Sequence, residues 1–200
     1  MSEYTVIRGV TRSLRALLQA HITNSSDPGL AGVAIDLRSP KEMREDPDNE
    51  GGAQGVSLWL YRVVRNGHTL NRPPERVAPN QVRRHPLPMN LYYLITPIAG
   101  TSDDEQLLLG KVLEVLNDHP TLGGALLSDS LEGEDEEFRL TLEPLTLEEL
   151  TRVWDALKEP YQLSVSYLVQ MVDIDSGQPP VEVSPVGVRQ TEYHQILAVT

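Results

Sequence analysis

Ile7, Val10, Leu14, Leu17, Leu18 and Ile22 recur every three or four positions with Arg8, Arg12 and Arg15 between them. That spacing predicts an amphipathic helix over residues 3–22. Residues 24–29 (NSSDPG) then force a turn. Residues 31–37 alternate Val33, Ile35 and Leu37 with small or polar neighbours, as a half-buried strand does. Residues 38–55 are polar, charged and rich in glycine, which predicts a flexible loop. The β-branched and aromatic run 56–64 (VSLWLYRVV) predicts a strand ended by Asn66-Gly67.

A long connection follows at about 65–88. A polar hairpin of two short arms fits it, although Pro73, Pro74, Pro79, Pro86 and Pro88 oppose regular structure. Residues 89–98 resume as a strand with Leu91, Tyr93 and Ile95 on one face. Ser102 is placed to cap a helix that buries Leu107, Leu108, Val112, Val115 and Leu116 and stops at His119-Pro120. Residues 122–127 suggest a second short helix, and 137–142 a strand alternating Phe138, Leu140 and Leu142. Thr146 and Glu149 form a capping box for a helix through Leu157. Residues 162–172 read as a strand and 173–180 as a turn, with 181–188 able to pair back onto that strand. The whole predicts one α+β domain over residues 1–200, with a mixed, largely antiparallel sheet flanked by helices.

The 200-residue chain contains no cysteine, which excludes a disulfide scaffold, a thiol nucleophile, a thiolate zinc site and an iron–sulfur cluster. No apolar run approaches the roughly 20 residues of a membrane span. The opening MSEYTVIRGV lacks the basic and apolar parts of a secretion signal, so a soluble, cytoplasmic protein with no membrane partner is expected. Net charge is −12, against nucleic-acid binding. Residues 1–100 hold 12 Lys+Arg against 9 Asp+Glu, whereas residues 101–200 hold 5 against 20. Such polarity suits a subunit that meets its own copies, basic side to acidic side.

Candidate chemistry is sparse. The glycine cluster at 51–55 lacks the Lys-Ser/Thr of a phosphate loop, and there is no GxSxG elbow. His21, His68, His85, His119 and His194 are scattered without helical-turn pairing, so neither metal nor cofactor is expected. Trp59 and Trp154 sit in apolar patterns and read as core. The arginines of residues 62–84 (Arg62, Arg65, Arg72, Arg76, Arg83 and Arg84) face only Glu75 in sequence. Their planar forks favour pairing with carboxylates across an interface. Arg72, Arg76, Arg83 and Arg84 are therefore the expected protein-interface residues, with the acidic run Glu134, Asp135, Glu136 and Glu137 as their counterpart.

Several stretches together resemble a known family: VSLWLYRVVRN (56–66), LYYLITPIAG (91–100), LLLGKVLEVLNDHPTL (107–122), LEELTRVWDALKEPYQLSVSYLVQMVDID (147–175) and SPVGVRQ (184–190). They are similar to the tail-terminator, or cap, proteins of bacterial extracellular contractile injection systems, which are phage-tail-like particles. Trp154, Tyr161, Ser164 and Tyr167 lie in the most specific stretch. The resemblance implies a phage tail-terminator-like fold and a structural, non-enzymatic role. It implies a hexameric ring on the baseplate-distal end of the inner tube and sheath, which stops polymerisation and anchors sheath to tube. Assembly would be cytoplasmic, in a particle that can be released. The alternatives are an assembly chaperone or cargo adaptor of the same system, absent from finished particles, and a small hydrolase with convergent titratable groups.

Overall fold

The computed structural model describes residues 4–46, 54–69, 73–184 and 191. Helix α1 (Val6–Leu18) buries Val10, Leu14, Leu17 and Leu18 of the predicted stripe, with Val6 buried where the spacing predicts Ile7 and Ile7 only partly so, and runs into a π-helical turn at Gln19–Thr23 that buries Ile22. Strand β1 (Ala34–Asp36) and the short helix α2 (Pro40–Arg44) precede the long strand β2 (Gly55–Arg65). A hairpin of β3 (Arg76–Ala78) and β4 (Gln81–Val82) leads to β5 (Leu87–Ile98) and helix α3 (Ser102–Asp118). Strands β6 (Thr121–Gly123) and β7 (Glu137–Glu143), helix α4 (Leu147–Leu157), and strands β8 (Val165–Ile174) and β9 (Val181–Glu182) complete the order.

Six strands form one sheet in the order β1-β2-β5-β8-β7-β6; β1 runs parallel to β2 and the other pairs are antiparallel. Successive strand residues point to opposite faces, so Leu91, Tyr93 and Ile95 share one face, where all are at most 1% exposed. This front face joins α1 and α3 in the main core with Leu58, Val112, Leu116, Phe138, Leu140 and Val169. Leu94, Ile98 and Leu168 fall on the reverse face and are buried outside that cluster. The architecture is thus α+β and largely antiparallel, as the alternation predicts. Gly55 opens β2 where no Cβ fits, because one would meet the Met43 Cε and the Ala34 carbonyl oxygen at 2.7 Å.

Several expectations are corrected. Within the predicted loop 38–55, residues 40–44 are helical: Ser39 and Glu42 form a capping box and Pro40 occupies the first turn. Residues 47–53 lie outside the described residues. Helix α3 is capped by Thr101, whose hydroxyl accepts from the Asp104 N–H, rather than by Ser102. Leu107 is exposed (46%), and Leu109 turns inward instead. The short helix expected at 122–127 is strand β6 followed by a 3-10 turn, because Thr121–Gly123 pairs with the start of β7. Leu142 is half-exposed where β7 runs past β6. Strand β9 pairs with β4, not with β8, and residues 185–188 of that predicted strand are outside the described residues. Trp59 is only partly buried, its ring 6.1 Å from that of Tyr61, whereas Trp154 is core-buried as expected.

Candidate interface site

The hairpin β3–β4 pairs through Arg76 with Val82 and Ala78 with Gln81, and β9 adds a third strand. The arm runs from this small sheet into the main one. Residues 83–86 descend from β4 into β5, and β5 sets Pro88 opposite Asp173 and Leu87 opposite Ile174. The pairing brings the arm beside the end of β8. The start of β7 enters from the same side, since Arg139 pairs with Gln170.

A cleft of about 340 Å³ results, lined by Arg83, Arg84 and His85 from the arm, Glu136 from the acidic loop and Glu137 from the start of β7, and Met171, Asp173 and Asp175 from β8 and its turn. Glu75 closes it beside Arg83, with guanidinium and carboxylate 3.3 Å apart and the Arg83 N–H donating to the Glu75 carbonyl at 2.8 Å. Both side chains are substantially exposed, so this ion pair contributes little beyond about 1 kcal/mol. Arg84 and His85 are exposed at the rim.

Met171 lines the cleft from β8. Asn90 of β5 stands opposite two residues of β8, because Met89 pairs with Val172 and Leu91 with Val169. The bulge places Met171 at φ 68°, in the left-handed region, with its side chain 51% exposed. A non-glycine residue held there costs on the order of 1–3 kcal/mol, and such strain concentrates at binding sites.

The predicted interface residues therefore separate into groups. Arg83, Arg84, Glu136 and Glu137 line one cleft within a single chain. Arg76 lies on β3, exposed, and Glu134 and Asp135 are exposed on the preceding loop, outside the cleft lining. Arg72 lies outside the described residues. Sequence reasoning missed His85, Met171, Asp173 and Asp175, which become neighbours only through the β5–β8 register. It also missed that His21 and His119 meet, with ring centroids 5.1 Å apart. His119 ends α3, and its Nδ1–H donates to the Val115 carbonyl at 2.8 Å, the favourable place for an imidazole at a helix C-terminus. Among the described residues, no group of three or more His, Cys, Asp or Glu is arranged to hold a metal ion, and no helix is long and apolar enough to cross a membrane.

The family model of the Pvc16 N-terminal domain matches residues 9–187. The chain belongs to that family. Two solved structures share its fold. One is the sheath/tube terminator of an extracellular contractile injection system, PVC, in its extended state; it is 20% identical with a TM-score of 0.63, over 100% of this chain and 67% of that one. The other is the tube-terminating cap of the anti-feeding prophage, 17% identical with a TM-score of 0.60, over 92% of this chain and 60% of that one. The chain spans 67% of the first of these structural relatives and 60% of the second. No curated protein matches its sequence.

Proposed function

We propose that this chain is a tail terminator of a contractile injection system. In this proposal copies of it form a six-fold ring on the baseplate-distal end of the inner tube and sheath, stop their polymerisation and anchor one to the other. Its role is structural rather than catalytic. The observation that carries the proposal is the Pvc16 N-terminal family match over residues 9–187, together with a fold shared with two terminators over nearly the whole chain. The half-chain charge polarity supports it, because a closed ring places two different faces of each subunit in contact. Within this proposal the arm residues Arg72, Arg76, Arg83 and Arg84 and the loop residues Glu134, Asp135, Glu136 and Glu137 form the contact surface toward a neighbouring subunit, tube or sheath. Met171 and Asp175 extend that surface along the cleft.

Native mass spectrometry with negative-stain imaging tests this, on the protein alone and mixed with its tube and sheath proteins. Six-membered rings, free or seated on tube ends, are expected. A monomer that binds neither tube nor sheath contradicts the proposal and favours an adaptor or assembly chaperone.

A further inference from the structure

Among the described residues, two edges of the six-stranded sheet are open, and they complement each other. Strand β1 covers only residues 55–57 of β2. Residues 58–65 therefore have no strand partner on their outer edge among the described residues. At the opposite end, β6 pairs only with residues 137–139 of β7, and the Leu140 N–H donates to the Pro120 carbonyl at 2.8 Å. Residues 141–143 have no strand partner on that side among the described residues, although the Glu143 carbonyl accepts from the Leu145 N–H at 2.9 Å. An open edge is a template for another strand.

The directions agree. Three successive antiparallel pairings separate β2 from β7, so these outer strands run opposite ways. A second copy placed head to tail sets its β2 antiparallel to the first copy's β7, and the sheet continues across the junction with its front faces aligned. The side chains agree as well. Val63 pairs with Leu91 and Leu142 with Tyr167, both partners in the front-face core, yet Val63 and Leu142 are 42% and 48% exposed. Beside Leu142, a groove of about 640 Å³ runs between β7 and α3, floored by Leu113, Leu116, Leu140 and Tyr167. Charge follows the same sense. Arg62 and Arg65 are exposed on the β2 edge, while Glu143 stands on the open stretch of β7; Glu114 beside the groove is already paired with Lys111 at 2.8 Å.

We infer that the open edge of β7 receives the outer edge of β2 from a second copy of this chain, extending the sheet from subunit to subunit and seating Val63 against Leu142 and the α3 groove. The inference rests on the ring proposed above and specifies which surfaces close it. Such a junction joins two different patches, so it propagates in one direction and closes only when the rotation returns to the start. Main-chain hydrogen bonds supply the pairing, and the apolar contact fixes its register.

Because the chain has no cysteine, introduced thiols are unique reporters. Val63→Cys and Leu142→Cys both alter exposed positions. Each single variant, a mixture of the two, and the double variant are treated with a short bismaleimide, as free protein at high concentration and on assembled particles. Tyr61→Cys and Arg65→Cys, each with Leu142→Cys, cover neighbouring registers. The expected result is a crosslinked dimer in the mixture, none in either single variant, and a ladder of multimers in the double variant. If the protein sits on particle ends and no pair crosslinks, the edge pairing is overturned while the terminator proposal stands. If it is missing from particles, the terminator proposal fails, and absence of crosslinks in the free protein overturns the pairing too.

Discussion

The indole N–H of Trp154 donates to the hydroxyl of Ser164 at 3.1 Å, and that hydroxyl donates onward to the Gln162 carbonyl at 3.1 Å. Both residues are nearly sealed from solvent, at 1% and 5% exposure. Tyr161 meets the indole edge-on with centroids 6.5 Å apart. The chain leaving α4 is thereby tied back to the helix before it enters β8. Ser164→Ala strands a buried N–H and is expected to cost about 1–3 kcal/mol. Chemical denaturation checks this, and in the background of Trp154→Phe the same substitution is expected to cost clearly less.

Two helical glycines predict opposite outcomes. A Cβ at Gly9 would meet Leu131 Cγ at 2.7 Å and Ser130 Oγ at 3.0 Å, where α1 packs on the Asp129–Leu131 turn. Gly9→Ala is expected to destabilise by about 1–3 kcal/mol despite its better helix propensity. Around Gly110 of α3 nothing lies within 4 Å. There Gly110→Ala is expected to stabilise by up to about 1 kcal/mol. Thermal melts that moved both variants the same way would contradict this packing.

Much of this was legible because it is local. The capping box of Thr146 and Glu149 forms as the spacing predicts and starts α4 at Leu147. The alternation of Leu91, Tyr93 and Ile95 marks the central strand. The α2 signal was also present, in Ser39, Pro40 and Glu42, but a five-residue helix burying only Pro40 and Met43 has no periodicity to reveal it. What escaped is long-range. The run 122–127 is as apolar as a helix and becomes partly a strand only because Phe138 pairs with Leu122. Strand β9 joins β4, about a hundred residues earlier, through Val181 and Val82. The candidate cleft was half legible for the same reason: its arginines and glutamates stand out by composition, whereas Asp173 reaches them only by pairing with Pro88.

Asp129 adopts φ 59° and accepts from Arg8 Nε and Arg12 Nη1, each at 2.8 Å. Desolvation works against its charge, but the Arg8 hydrogen bond and the two guanidinium charges outweigh it, so its pKa falls below the ordinary value. A carboxylate with a depressed folded pKa stabilises above its unfolded value of about 3.9, and that stabilisation fades as pH drops through the lower folded value. Asn tolerates the same backbone without the charge. Asp129→Asn is therefore expected to be less stable than the parent at pH 7, with the two converging as pH falls below about 4. A constant gap across denaturation measurements from pH 7 to pH 3 would contradict the ionic explanation.

Charge reversal tests the arm. Arg76→Glu, Arg83→Glu and Arg84→Glu together are expected to leave the circular dichroism spectrum unchanged, since these side chains are exposed or rim-placed. Ring closure or docking on tube and sheath is expected to be lost. Full assembly by the triple variant would show that the arm is merely solvated.

The most direct measurement is the length distribution of particles assembled with and without this chain, read by electron microscopy. A terminator gives particles of uniform length, with added density on the baseplate-distal end that disappears when the chain is omitted, while tubes and sheaths then run to variable lengths. An unchanged, narrow distribution in its absence would contradict the terminator role.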